Sequence, residues 1–207
     1  MIRPYAPYTH IPAPLPRLAD AVGRSLCEWA VGPSDRPLGL ERVVAEDRPE
    51  GQHLVLHTDL IVGAWRQLFP AERMLIIGGR RQGARVHATS LRDVTGDNHS
   101  RAYVKASPVR LHEALMDWES TGAHVVAWIH SHPGMGPLAS HPSDIDRRQD
   151  LEWSATYGNH VLGMIATQDG WLRLWGKAIE RPDFHVDLQG RGIVRTEASH
   201  VYRLAVR

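Results

Sequence analysis

His124-Val125-Val126-Ala127-Trp128-Ile129-His130-Ser131-His132-Pro133 is an apolar run that ends in two histidines and a proline. Its first six residues read as a compact buried strand, bounded upstream by Gly122. Successive side chains on a strand point to opposite faces, so His130 and His132 project to the same side and converge on one point. Pro133 has no amide hydrogen to give to a ladder, which ends the strand and leaves the pair at a sheet edge or mouth. A two-residue histidine spacing also arises by chance, so further ligands are needed before the pair means a metal.

The next segment supplies them. A loop from Gly134 to Pro142, rich in glycine and proline, leads to Pro142-Ser143-Asp144-Ile145-Asp146, where Ser143 is a good N-cap for a helix through about Thr156. A carboxylate in that first turn faces unpaired backbone amides and the positive end of the helix dipole, and stays ionised. Capping alone accounts for Asp144 and Asp146; the histidines upstream turn both into candidate third ligands. Asp146, three residues after the N-cap, can be returned to the histidines and leaves a fourth tetrahedral position for water, the mark of a catalytic zinc. Cleaving an amide also requires a group that accepts water's proton and hands it to the leaving nitrogen. Glu72 is the candidate, because it opens the apolar strand Met74-Leu75-Ile76-Ile77 and can be held at the mouth of a buried sheet.

Working outward, His53 to His57 reads as a strand, and Thr58 as the N-cap of a helix over Asp59 to Phe69, stopped by Pro70. Met74 to Ile77 and Ala84 to Val94 form a hairpin about Arg81-Gln82-Gly83. Ser107-Pro108 caps a helix to about Glu119, and Val161 to Ala166, Asp169-Gly170 and Trp171 to Trp175 spell a second hairpin. The fold class is α/β (α+β), with mostly hairpin-linked strands. Trp128, Trp153, Trp171 and Trp175 are expected in the core. Residues 1–50 are punctuated by proline and glycine, with one helix-like stretch over 18–30, and form an extension of unassigned role before a domain over 51–207.

Composition narrows the chemistry. The formal charge of +1 offers no field to hold a phosphate backbone, so nucleic acid is not a favoured partner. Cys27 is the only cysteine, which excludes an intrachain disulfide and a thiolate-built metal site, and fits a reducing cytoplasm. No signal-peptide core and no membrane-spanning apolar run is present, so the expectation is a soluble, cytoplasmic chain without a membrane partner.

These residues resemble the JAMM (MPN+, JAB) metalloprotease family, whose pattern is a distant glutamate, His-Ser/Thr-His-Pro, a short loop and Ser-x-x-Asp. His130-Ser131-His132-Pro133 fits without change, and Glu72 with Gly79 is similar to the family's Glu-x-x-Gly-x-x-x-Gly strand, although Leu75 replaces the first glycine. The resemblance spans about residues 53–177. The family's aspartate usually lies eleven residues after the second histidine, where this chain has Ser143. Ser143-x-x-Asp146 keeps the motif with a loop three residues longer; Ser140 with Asp144 is the competing pairing, and the N-cap argument prefers Asp146.

The resemblance implies a mostly antiparallel, curved sheet flanked by helices, with a cytidine-deaminase-like layering. It implies one zinc ion on His130, His132 and Asp146, Glu72 as the proton carrier, and Ser143 steadying the oxyanion. The implied substrate is a ubiquitin-like protein or its conjugates, cut after the C-terminal glycine, within a prokaryotic, deubiquitinase-like branch. Arg80-Arg81 and Arg147-Arg148 give the chain a bacterial look, for which a tag-conjugation operon with E1/E2-like enzymes or an antiphage pathway is the expected setting. The Gly134 to Pro137 loop and residues 95–107 are expected to flank the site. Two rivals stand beside this: a scaffold subunit of the same fold without catalysis, and a zinc hydrolase of a small amide conjugate. A deaminase is excluded, because such sites need paired cysteines.

Overall fold

The computed structural model describes residues 52–97 and 103–205. The extension over 1–50, its helix over 18–30 and part of the 95–107 segment lie outside them. The elements in chain order are β1 (Gln52–His57), α1 (Thr58–Leu68), β2 (Met74–Gln82), β3 (Arg85–Asp93), α2 (Pro108–Ser120) and β4 (His124–His132). There follow α3 (Gly136–Ala139), α4 (Asp144–Tyr157), β5 (Leu162–Thr167), β6 (Trp171–Trp175), β7 (Phe184–Gln189), β8 (Ile193–Arg195) and β9 (Val201–Leu204). The strands form one sheet in the order β7-β1-β3-β2-β4-β5-β6-β9-β8. Most neighbours are antiparallel; β1 runs parallel to β3 and β7, and β4 parallel to β5.

This sheet cannot be flat. β7 and β8 are its opposite edges, yet only Gly190-Arg191-Gly192 join them. Such a link reaches roughly 14 Å when fully extended, whereas nine strands laid flat would set their edges roughly 38 Å apart. The sheet therefore curls around α1. Phe184 from one edge and Leu204 from the strand beside the other share a core cluster with Ile61, Ala64 and Leu68 of α1. Gly190 and Gly192 have φ of 122° and 90°, the region that glycine enters without a Cβ penalty. Thr58 was expected to cap α1, but the helix begins at Thr58 itself, with His57 at the cap position and no side-chain cap bond. Its hydroxyl instead donates to the Arg191 carbonyl at 2.9 Å, pinning the short link to the start of α1.

The opposite face carries a second cluster built on Met74, Ile76, Trp128 and Ile165, covered by Ala114 and Trp118 of α2 and Trp153 of α4. Alternation sorts each strand between the two layers, with Leu75, Ile77 and Ile129 going to the α1 side and Ile76 and Trp128 to the other. Trp128, Trp153 and Trp175 are buried as expected, while Trp171 is half-exposed under the Arg203 guanidinium. No element is expected from the sequence beyond Trp175. Phe184-His185-Val186-Asp187-Leu188-Gln189 nonetheless alternates apolar and polar residues at strand period, so β7 was legible; β8 and β9 are too short to show a period.

Gly78 marks a close packing of α2 on the sheet. The register of β2 shifts there against both neighbours, and a Cβ on Gly78 would stand 2.6 Å from the Trp118 ring and 2.5 Å from the Ser90 hydroxyl. Gly63, inside α1, has nothing within 4 Å of the same position. Thermal melts should therefore separate the two: Gly78→Ala is expected to destabilise by about 1–3 kcal/mol through overpacking, and Gly63→Ala to stabilise by about 0.5–1 kcal/mol. Equal shifts of the melting temperature would contradict this account of the α2 contact.

Candidate metal centre

The end of β4 carries the site. The ladder continues through His132, with His130 paired to Met74 on β2 and to Ile165 on β5. His130 lies on the α4 side, where its ring stacks on Trp128 at 5.2 Å and 10°, and Trp128 stacks in turn on Trp153. Those aromatic contacts fix the imidazole plane. His130 is almost fully buried, which pushes its imidazole pKa down, and its Nδ1 has no hydrogen-bond partner among the described residues. His132 is held from its other nitrogen, because Nδ1 sits 2.8 Å from the Ala139 carbonyl, which can only accept. Burial pulls the His132 imidazole down, but its hydrogen bonds with Asp146 and the Ala139 carbonyl outweigh that and push it up. On giving up its Nε2 proton to a cation's charge, the ring would turn a lone pair into the site.

Ser143 caps α4 as expected, through a reciprocal capping box: its hydroxyl accepts from the Asp146 amide at 3.3 Å, and its own amide donates to Asp146 Oδ2 at 2.6 Å. That box turns the Asp146 carboxylate toward the histidines. Asp146 Oδ1 lies 3.0 Å from His130 Nε2, Oδ2 lies 3.3 Å from His132 Nε2, and the two Nε2 atoms are 3.1 Å apart. Burial pushes the Asp146 carboxyl up, but the hydrogen bonds with His130 and His132 outweigh it and hold the group far below the usual carboxylate range. Asp144, on the same helical turn, is exposed and outside this cluster. Ser140 is also elsewhere: fully buried, it donates to the Pro137 carbonyl and accepts from Arg173 Nε.

Two imidazole nitrogens and a carboxylate oxygen aimed at one point form a donor set that can hold a metal ion. The spacing fits a small tetrahedral cation, since bonds of about 2.1 Å at tetrahedral angles put neighbouring ligand atoms about 3.4 Å apart. A carboxylate in close contact with two converging nitrogens is also an electron-rich cluster that a cation would neutralise.

Glu72 lies beside this cluster, 6% exposed, at the entry to β2. Burial pushes its carboxyl up to about 7, His132 pulls it down, and Asp146 adds to the rise. Its position is set by Ser131, whose role the sequence reading missed. Ser131 points to the face opposite the histidines; its hydroxyl donates to the Leu68 carbonyl at 3.2 Å and accepts from the Arg73 amide at 3.0 Å, while its amide donates to the Arg73 carbonyl. One residue thus clamps both ends of the segment that carries Glu72. The signal was available in the same parity that paired the histidines. The expected flanks are present in part: Tyr103 and Val104 line the cleft over the cluster with Ile145, while the 133–142 loop is tied down by a Gly136 amide bond to Asp169.

The chain matches no curated protein. The solution structure of a protein from Desulfitobacterium hafniense is similar at 18% sequence identity and a TM-score of 0.47, covering 68% of this chain and 94% of that one. Residues 55–175 match the family model of prokaryotic homologs of the JAB domain. That match takes in more than half of the chain, from β1 through β6, and contains Glu72, both histidines and Asp146; the chain belongs to this prokaryotic branch of the JAB/MPN family, which includes metalloproteases.

Proposed function

We propose that the protein is a zinc-dependent peptidase or isopeptidase that hydrolyses the amide bond after the C-terminal glycine of a ubiquitin-like protein, in processing or deconjugation. The observation that carries this reading is the convergence of His130, His132 and Asp146 beside a buried Glu72. His130, His132 and Asp146 would hold the ion, one per chain. Bound there, zinc supplies Lewis-acid activation of water, whose pKa it lowers to about 7.

The chain's own groups do the rest. Glu72 accepts the proton that the attacking water gives up and delivers it to the leaving nitrogen, a task suited to a carboxyl poised near neutrality. Ser131 holds Glu72 in reach, by fixing the Leu68–Arg73 segment from below. The Ser143 hydroxyl accepts from the Asp146 amide and keeps its proton to steady the oxyanion. Membership of the JAB family supports a protein tail as substrate, and so does a cleft walled by Tyr103, Val104 and Ile145, suited to an extended chain. A ubiquitin-like protein, with E1/E2-like enzymes of the same operon, is the partner set this reading calls for.

Glu72→Gln is expected to lower hydrolysis of a ubiquitin-like fusion by about 10²–10⁴-fold while zinc content stays at one per chain. Wild-type turnover in that variant would remove Glu72 from the mechanism. His132→Ala and Asp146→Asn should lose the metal as well, whereas Asp144→Asn should keep it, as read by metal analysis of the purified proteins. Glu72 must be ionised to act as a base, and burial sets its carboxyl at about 7. The rate should therefore fall as pH drops through about 7, or somewhat lower once the cation pulls that value down; a flat profile from pH 5 to 8 would contradict the role.

Ser131→Ala should reduce kcat with zinc retained, and Ser131→Thr should restore it. Equal kcat in all three proteins would show that the clamp does not position the base.

A further inference from the structure

Two cavities meet at Glu72. The first lies over His130, His132 and Asp146 and extends to Ser143 and Ile145. The second lies on the other side of Glu72 and Pro133, which line both, and is walled by Phe69, Pro70, Ala71 and Gln168. None of the three metal-ligand candidates lines the second cavity. Ser131 also lines it, with its hydroxyl engaged by the Leu68 carbonyl and the Arg73 amide. Phe69, Pro70, Ala71 and Pro133 make the apolar part of the cavity wall, and the Glu72 carboxyl and the Gln168 amide the polar part.

We infer that this second cavity seats the amine half of the substrate and selects an apolar side chain immediately after the scissile bond. The inference rests on the proposed amide hydrolysis and gives it a direction. In that reaction water's oxygen bonds to the carbonyl carbon, the C–N bond breaks, and the proton taken up by Glu72 ends on the departing nitrogen. The nitrogen must therefore lie within reach of Glu72, whereas the carbonyl oxygen must lie over the metal-binding group and Ser143. Ser143 borders only the first cavity, and Glu72 borders both. A substrate laid with its carbonyl toward Ser143 and its nitrogen toward Glu72 directs whatever follows the nitrogen past Glu72 into the second cavity.

The walls then decide what is tolerated. Phe69, Pro70, Ala71 and Pro133 present no charge. The one carboxyl in the lining, Glu72, repels an acidic side chain and is engaged with the departing nitrogen rather than free to pair with a basic one. A charged group would therefore enter at a desolvation cost and an aromatic or aliphatic one at a gain. Phe69 is braced against Trp65 at 5.8 Å, which makes this wall a fixed one.

The zinc-loaded protein can be tested with acetyl-Arg-Gly-Gly-X-amide peptides in which X is Phe, Leu, Asp or Lys, and with phenylalanine amide as a fragment followed by NMR. The expected results are a preference of about tenfold or more in kcat/KM for Phe and Leu over Asp and Lys, and amide shifts at Ala71 and Gln168 on adding the fragment. Ala71→Phe, which narrows the cavity, should abolish both the preference and the shifts with zinc retained; if that variant fails to fold, Gln168→Trp serves instead. Rates independent of X, or shifts confined to Val104 and Ile145, would overturn the assignment. If no peptide is cut, the hydrolase reading fails by itself, and the fragment shifts at Ala71 and Gln168 still decide for or against the cavity.

Discussion

The alternation of three side chains at the end of β4 is the constraint on which the rest depends. His130 and His132 face α4, and Ser131 between them faces α1. Because the strand period is two, one short segment can aim a pair of imidazoles at a common point and, through its back, hold the loop that carries Glu72. Shifting this register by one residue would put the serine among the donors and bury the histidines against Leu68. The ladder contacts of β4 with β2 and β5 resist that slip, and the stack of Trp128 on Trp153 resists it again.

Around that strand, the fold solves two packing problems in ways that serve the site. The curl of the sheet about α1 places the C-terminal end of this helix, with its Leu68 carbonyl, beneath Ser131. On the other face, α4 begins where the 133–142 loop ends, so its capping box is also the device that turns Asp146 inward. The loop itself is anchored at Gly136, Ala139 and Ser140, and the Ala139 bond is made by a metal-ligand candidate. Helix capping and the aiming of the Asp146 carboxylate are the same set of bonds here, so loss of the cap would disturb the cluster too.

Much of this was legible because it obeys local rules. Strand parity paired His130 with His132, and the N-cap at Ser143 favoured Asp146 over Asp144, which is where the structure turns a carboxylate to the histidines. Glu72 was singled out by its place before an apolar strand, although nothing local shows that it is buried. The rest depended on contacts distant in sequence. Thr58 looks like a helix cap by its neighbours, yet its hydroxyl is taken by Arg191, 133 positions away. Ser131 looks like a spacer until Leu68 and Arg73 arrive beneath it. β8 and β9 are three and four residues long, too short to show a strand period, and β9 joins the sheet only through Trp171, Leu172 and Arg173 of β6, distant in sequence.

The central claim is that His130, His132 and Asp146 are a zinc site and that the capping box and the Ala139 carbonyl are there to aim it. X-ray absorption at the zinc edge of the loaded protein tests this most directly. The account predicts one ion per chain with two imidazole nitrogens and a carboxylate oxygen at about 2.0–2.2 Å. An ion bound through a single imidazole, or through sulfur from Cys27, would contradict it.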